Sequence, residues 1–264
     1  RGWFYTLHAI GSMVMNSPAY KNVVSNGLVL DKEGRKMSKR LGNAVDPFKT
    51  MDTFGADALR WYMVSNAQPW DNLRFDIEGI AEVQRKFFGT LHNTYNFFAL
   101  YANIDGFRPK SKKEVTNELD RWILSELNSL INEVDVAYSD YEPTRAARAI
   151  QHFTLENLSN WYVRLSRRRF WKEDAGDDKT AAFSTLYECL ESLSILIAPI
   201  APFYAEQLFR DLHPESAGAS VHMADFPKAQ LNVVDEELQW RMRRAQKITS
   251  LTLGLRKKER IRVR

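Results

Sequence analysis

With one cysteine in 264 residues, Cys189, the chain has no pair for an internal disulfide and no set for a cysteine-rich zinc site. Cys189 sits among Leu186, Leu190 and Leu193 at helical spacing, so it reads as a buried thiol. No apolar run approaches membrane-spanning length, and no signal-peptide pattern opens the chain. The expectation is a soluble, cytoplasmic protein without a membrane partner. A glycine-rich phosphate loop is also missing, which removes the P-loop class of nucleotide hydrolases. There is no periodic repeat.

What is present is an ordinary globular composition, 44% hydrophobic and 27% charged. The net charge of +4 is modest, but basic residues crowd at 35–40, 164–172 and 256–264 while acidic ones are spread out. Such patches suit a polyanionic partner, or they are solvated helix faces. The chain opens at Arg1-Gly2-Trp3-Phe4 without an initiator Met and stops at Arg262-Val263-Arg264, so both ends read as cut.

Residues 4–15 are mostly apolar and predict a buried helix ending near Asn16-Ser17-Pro18. Residues 23–30 predict a strand, followed by a turn at Asp31-Lys32-Glu33-Gly34. Arg35 to Asn43 predicts an exposed loop. Asp46-Pro47 opens a short helix, because an Asp cap before Pro suits a first helical turn. Gly55 to Ser65 predicts another. From about residue 76 the spacing becomes that of long amphipathic helices: 77–102, 119–138, 144–171, 177–197, 200–212 and 236–258, each with one buried face. The connectors 105–117 and 213–228 are polar or Pro-bearing.

The most specific motif is Lys36-Met37-Ser38-Lys39-Arg40, followed by Leu41-Gly42-Asn43. It resembles the KMSKS loop of class I aminoacyl-tRNA synthetases, in a form ending in Arg where that loop ends in Ser. In adenylate formation an amino-acid carboxylate attacks the α-phosphate of ATP and pyrophosphate leaves, so cations are needed where charge grows on the β- and γ-phosphates. The resemblance implies that Lys39 is the transition-state lysine, with Lys36 and Ser38 supporting it. It also implies that backbone groups of Gly27-Leu28-Val29 hold adenine. Met37 is expected to anchor the loop by packing, with Gly34 and Gly42 as hinges. Arg40 would reach a phosphate or the tRNA backbone.

Arg1-Gly2-Trp3-Phe4 resembles a stretch of the isoleucine enzymes of this family, which implies that Trp3 helps wall an isoleucine pocket. The family's other ATP-site motif, HIGH, is absent. His8-Ala9-Ile10-Gly11 has its histidine and glycine in the wrong order and on the wrong side of the lysine loop, so His8 reads as an ordinary helix residue. No editing domain fits in this length.

Residues 161–172 carry Arg164, Arg167, Arg168, Arg169 and Lys172 interleaved with four aromatics. At helical spacing Trp161, Leu165 and Trp171 are assigned to the core, and Arg164, Arg167 and Arg168 to RNA. The segment resembles the helical anticodon-binding domain of the isoleucine, valine, leucine and methionine enzymes. Arg60, in Phe54 to Tyr62, also matches a helix of the family. It either touches a tRNA phosphate or pairs with Asp57 three residues away. The tail 256–264 is either a tRNA contact or a solvated end.

The implied fold is mainly α. Residues 1–75 form a small α/β tail of a class I Rossmann catalytic domain with its KMSKS subdomain. An antiparallel helix bundle that binds the anticodon spans 76–230, and a helix and truncated junction span 231–264. The implied activity of the intact protein is activation of isoleucine with ATP and Mg2+ and transfer to tRNA(Ile). Without HIGH, this segment alone is expected to be inactive. It needs no metal site of its own and no obligate protein partner. The alternatives are a non-catalytic tRNA-binding module with a relict loop and, further off, a helical scaffold.

Overall fold

The structure is a computed structural model that describes residues 2–109, 116–171, 176–216 and 218–262. Arg1, Lys172, Val263 and Arg264, to which the sequence assigns parts of three motifs, lie outside these, and so does the side chain of Lys39.

Helix α1 (Trp3–Met15) forms where predicted but buries none of its residues. Its apolar character is a signal for burial, yet a helix this apolar needs a covering surface on several sides. Its tie to the rest is Tyr20, whose hydroxyl donates to Phe4 O at 2.7 Å and whose ring meets Phe4 edge-on. The predicted strand over 23–30 shrinks to β1 (Val29–Leu30), because a strand persists only where a ladder exists. Its partner is β2 (Leu73–Arg74), parallel to it, with Val29 opposite Leu73 and Leu30 opposite Arg74.

Between these strands lie α2 (Pro47–Phe54) and α3 (Ala56–Asn66). Asp46 caps α2 as its sequence predicts, with Oδ1 accepting from Phe48 N at 2.9 Å. A long helix follows as α4 (Ile77–Val83), a π-helical turn at Gln84–Phe88, and α5 (Gly89–Ile104). Next come α6 (Glu118–Ser139) and α7 (Pro143–His152), joined through Tyr141 in the left-handed region at φ 60°. α7 runs on through a π-helical stretch, Phe153–Val163, into α8 (Arg164–Trp171). The remaining helices are α9 (Asp177–Ile197), α10 (Pro202–Leu212) and α11 (Glu236–Lys258).

The core is continuous from α3 to the start of α11 and includes Trp61, Phe87, Trp122, Leu127, Leu158 and Phe183. Cys189 is buried, as expected, and burial pushes its thiol well above the ordinary range. α11 departs from the predicted one-faced burial: only Leu238 and Gln239 are buried, and Ile248, Leu251 and Leu255 are exposed. It is held at its start by polar side chains of α6. Ser125 Oγ accepts from Asp235 N and Gln239 Nε2, both at 2.8 Å, and Asn128 Oδ1 accepts from Gln230 N at 2.7 Å.

α3 is fixed to the bundle through helix ends. The orphan carbonyls at its C-terminus are met from α7. Thr144 Oγ1 donates to Val64 O at 2.7 Å and Ala67 O at 2.9 Å, while Arg148 donates to Ser65 O at 2.8 Å and Asn66 O at 2.9 Å. α3 in turn serves the corner between α9 and α10. Arg60 Nε donates to Ile200 O at 2.7 Å and its Nη2 to Pro199 O at 3.2 Å, while Asp57 Oδ2 accepts from Tyr204 N at 2.6 Å.

Among the described residues no helix is long and apolar enough to cross a membrane.

Candidate active-site loop and nucleic-acid interface

The lysine loop starts from β1. After Leu30 the chain turns at Asp31 to Gly34, with Gly34 N donating to Asp31 O at 2.9 Å and Gly34 at φ 84°. It returns beside the strand, where Leu30 and Lys36 form an antiparallel bridge. Met37 is half-buried against the core, as expected of an anchor. Lys36 and Arg40 are exposed. Residues 39–41 form one 3-10 turn, and Ser38 accepts the Leu41 N–H at 3.2 Å through both its hydroxyl and its carbonyl oxygen. Gly42, at φ 66°, then reverses the chain.

Two side chains that the sequence reading passed over as turn and loop residues hold this arrangement. Asp31 is 6% exposed, and its carboxylate accepts from Arg35 N at 2.7 Å, Arg35 Nε at 2.9 Å and Asn43 Nδ2 at 2.9 Å. Asn43 also donates to Lys36 O at 3.3 Å, and its Oδ1 accepts from Ser38 N at 2.9 Å. The Asn43 amide, helped by the Arg35 amide and guanidinium, holds the Asp31 carboxyl down at about 2 against the opposing pull of burial.

The backbone assigned to adenine is partly engaged. Gly27 N donates to Pro69 O at 2.8 Å and Leu28 N to Asn72 Oδ1 at 2.9 Å, while Leu28 O accepts from Leu73 N at 2.9 Å. These groups of Gly27 and Leu28 are therefore committed within the chain. Parallel pairing turns the Val29 backbone toward the opposite edge. Gly27 is required sterically: a Cβ there would lie 2.0 Å from Asp71 O. Trp3 is 75% exposed on α1, and among the described residues no hydrogen bond or ring contact joins it to the loop. His8 is exposed on the same helix beside Tyr20.

On α8, Arg164, Arg167 and Arg168 are exposed at positions i, i+3 and i+4, one face of the helix. Two residues assigned to the core are not there: Leu165 is 51% and Trp171 is 53% exposed. Trp161 is half-buried against the core. The buried positions are Tyr162, Val163, Ser166, Arg169 and Phe170, one residue out of phase with a helix read at 3.6 residues per turn throughout. The π-helical stretch before α8 is the cause, since i to i+5 pairing adds a residue to each turn. Trp171, at i+7 from Arg164, thus joins the arginine face.

Arg169 belongs to the interior. It binds Asp120 with both terminal nitrogens at 2.7 Å and donates to Asp178 from Nε at 3.1 Å. Burial lowers the Arg169 pKa, but the bonds to Asp120 and Asp178 outweigh it and leave the group more basic than usual. Tyr162 donates to Asp120 at 2.7 Å, with its hydroxyl pushed well above the ordinary range, chiefly by burial. Arg60 makes no hydrogen bond to Asp57: its Nε and one terminal nitrogen are bound to carbonyls 200 and 199. Burial raises the pKa of the Asp57 carboxyl, and the charge of Arg60 still acts on it, lowering the pKa against that larger effect. Among the described residues no three His, Cys, Asp or Glu side chains converge to hold a metal ion.

Residues 120–264 match the model of the anticodon-binding domain of tRNA ligase, and residues 1–76 match that of class I tRNA synthetases of the I, L, M and V group. The whole chain is 58% identical to an isoleucine–tRNA ligase of Bacteroides thetaiotaomicron, over 23% of that protein. It is 59% identical to one of Porphyromonas gingivalis, over 23% of it, and 45% identical to one of Thermus thermophilus, over 26%. The chain spans about a quarter of the length of these relatives. A LeuRS–tRNA–LeuAMS ternary complex from Agrobacterium radiobacter shares the fold, with a TM-score of 0.68 at 20% identity, over 88% of this chain and 27% of the other.

Proposed function

On the premise that this chain belongs to the anticodon-binding domain family of tRNA ligases, we propose that it is the part of an isoleucine–tRNA ligase that joins the ATP-site lysine loop to the tRNA-binding bundle. The observation that carries the reading is the loop itself, clipped beside a parallel strand pair with Lys36 exposed. In the intact enzyme the carboxylate of isoleucine attacks the α-phosphate of ATP, supplied as its magnesium complex, and pyrophosphate leaves. Lys36 and Lys39 meet the charge that grows on the departing phosphates, and Ser38 fixes the 39–41 turn. Adenine lies against the Gly27-Leu28-Val29 segment in this reading, and Trp3 presents an indole to the isoleucine side chain. Such a pocket separates isoleucine from valine by only about 1–3 kcal/mol, because the two differ by one methylene.

The bundle takes the anticodon arm of tRNA(Ile). Arg164, Arg167 and Arg168 neutralise phosphates, and Trp171 offers a stacking face for an unpaired base. Functionally we divide the chain near residue 75, although its core runs across that point. The setting is the cytoplasm, where protein synthesis consumes the product.

Binding of the chain to tRNA(Ile) transcripts with native and altered anticodons, titrated across salt, tests this reading. Tighter binding to the native anticodon is expected. The triple variant Arg164→Ala/Arg167→Ala/Arg168→Ala should flatten the slope of log affinity against log salt by about 1 for each guanidinium that meets a phosphate. Equal, weak binding to every transcript, unmoved by the variant, would withdraw the interface.

A further inference from the structure

We propose that Asn43 is a positioning residue for the lysine loop: its amide, braced by Asp31, sets where Lys36 and the 39–41 turn stand relative to the strand pair. The inference rests on the reading of the loop as an ATP-site element.

Asn43 works as a three-way clip. Its Oδ1 takes the Ser38 N–H, and its Nδ2 gives to both the Asp31 carboxylate and the Lys36 carbonyl. The partners dictate the orientation of the amide, because the reversed one would set a donor against an N–H and an acceptor against a carboxylate. Only an amide of this length serves a donor and two acceptors at once. Asp31 is the fixed end. It stands one residue past β1, is nearly buried, and is also bound by the amide and guanidinium of Arg35. The moving end is the backbone on both sides of Met37, bounded by glycines 34 and 42 in left-handed conformations. A loop with glycines at each end and exposed residues along it has many available paths, and the clip selects one. Placement matters at the reaction because an error of about 1 Å in a group that meets the transition state costs on the order of 10²-fold in rate.

The swap of the two side chains gives the sharpest test. Asn43→Asp removes the donor and sets a second carboxylate against Asp31. Pairing it with Asp31→Asn restores a donor–acceptor match between positions 31 and 43 and leaves an oxygen for the Ser38 N–H. The Lys36 carbonyl and Arg35 Nε–H lose their partners, so recovery is partial.

In the full-length protein, two quantities are measured for wild type, Asn43→Ala, Asn43→Asp and the Asp31→Asn/Asn43→Asp swap. One is isoleucine-dependent pyrophosphate exchange, resolved into kcat and KM for ATP. The other is the rate of tryptic cleavage between residues 36 and 40 without substrates. Asn43→Ala should lower kcat about 10²-fold, with KM for ATP changed only a few-fold, and should speed loop cleavage about ten-fold. Asn43→Asp should fall at least as far, and the swap should recover at least ten-fold of its kcat. A wild-type kcat and wild-type cleavage rate in Asn43→Ala would overturn the proposal. A swap no better than Asn43→Asp, with both enzymes folded by circular dichroism, would overturn it too. If the wild type itself shows no exchange with isoleucine, the functional reading fails, and the cleavage rates alone still decide whether Asn43 holds the loop.

Discussion

Between residues 27 and 46 one described side chain, Asp31, is buried, and the chain path is kept by hydrogen bonds from side chains to backbone. In α6, by contrast, half of the 22 residues are buried, and the helix packs against α7, α9 and the π-helical stretch. The loop's bonds between neutral groups can exchange with water at little loss, since one nets about 0.5–1.5 kcal/mol, whereas those to the Asp31 carboxylate hold more firmly. The bundle's contacts cannot, because removing a buried partner leaves a cavity or an unpaired charge. One region is therefore built to be held in a position and released, and the other to be a fixed frame. The corner formed by Arg60 and Asp57 joins them without sharing either character, since it uses charged groups to finish helix ends.

The comparison breaks first in the bundle. Asp120→Ala removes the nearer acceptor of Tyr162 and takes from the buried Arg169 its bidentate partner, leaving it Asp178, so unfolding by denaturant should show a loss of about 3–5 kcal/mol. A loss below 1 kcal/mol would mean that the frame does not depend on this cluster. At the corner, Arg60→Ala strips donors from two carbonyls but leaves an exposed site that water can enter. A loss of about 1 kcal/mol in the same measurement is expected, with tRNA binding unchanged if the guanidinium serves the corner alone.

The smallest effect lies in the loop. The folded Asp31 pKa of about 2 lies below its ordinary 3.8, so the fold favours the ionised form. Its contribution is complete above about 3.8 and is lost as pH falls through about 2. Carboxyl-carbon NMR of Asp31 should place the midpoint near 2 and, in Asn43→Ala, move it up toward 3.8, because the Asn43 bond is the largest cause of the shift.

Much of this frame is legible in residue spacing. The periodicity over 119–138 and 177–197 predicts α6 and α9 within a residue or two, and Asp46-Pro47 marks the start of α2. The misreadings share a cause: local pattern reports a tendency without naming the partner. Residues 23–28 have strand composition but no ladder, and α1 has the composition of a buried helix yet buries none of its residues. The faces of α8 are misjudged by one residue because nothing in 153–163 announces a π-helical register. For Arg60 the options in the sequence were a tRNA phosphate and Asp57, whereas the carbonyls it binds lie 139 and 140 residues away. The site was legible as a motif, Lys36 to Asn43. Its clip was not, because asparagine and aspartate in a loop are expected of any turn, and only coordinates show two of them converging on one stretch of backbone.

The close approach at Gly27 bears on how this chain can vary over generations. Every missense change in a glycine codon adds at least a Cβ, and at this position that atom would fall 2.0 Å from the carbonyl oxygen of Asp71. No neighbouring side chain can yield to make room, because the obstacle is main chain. The bonds to Pro69 and Asn72 that set β1 beside β2 would have to part first. Even the mildest replacement, alanine, would be a change of backbone path, so this codon has no conservative neighbours.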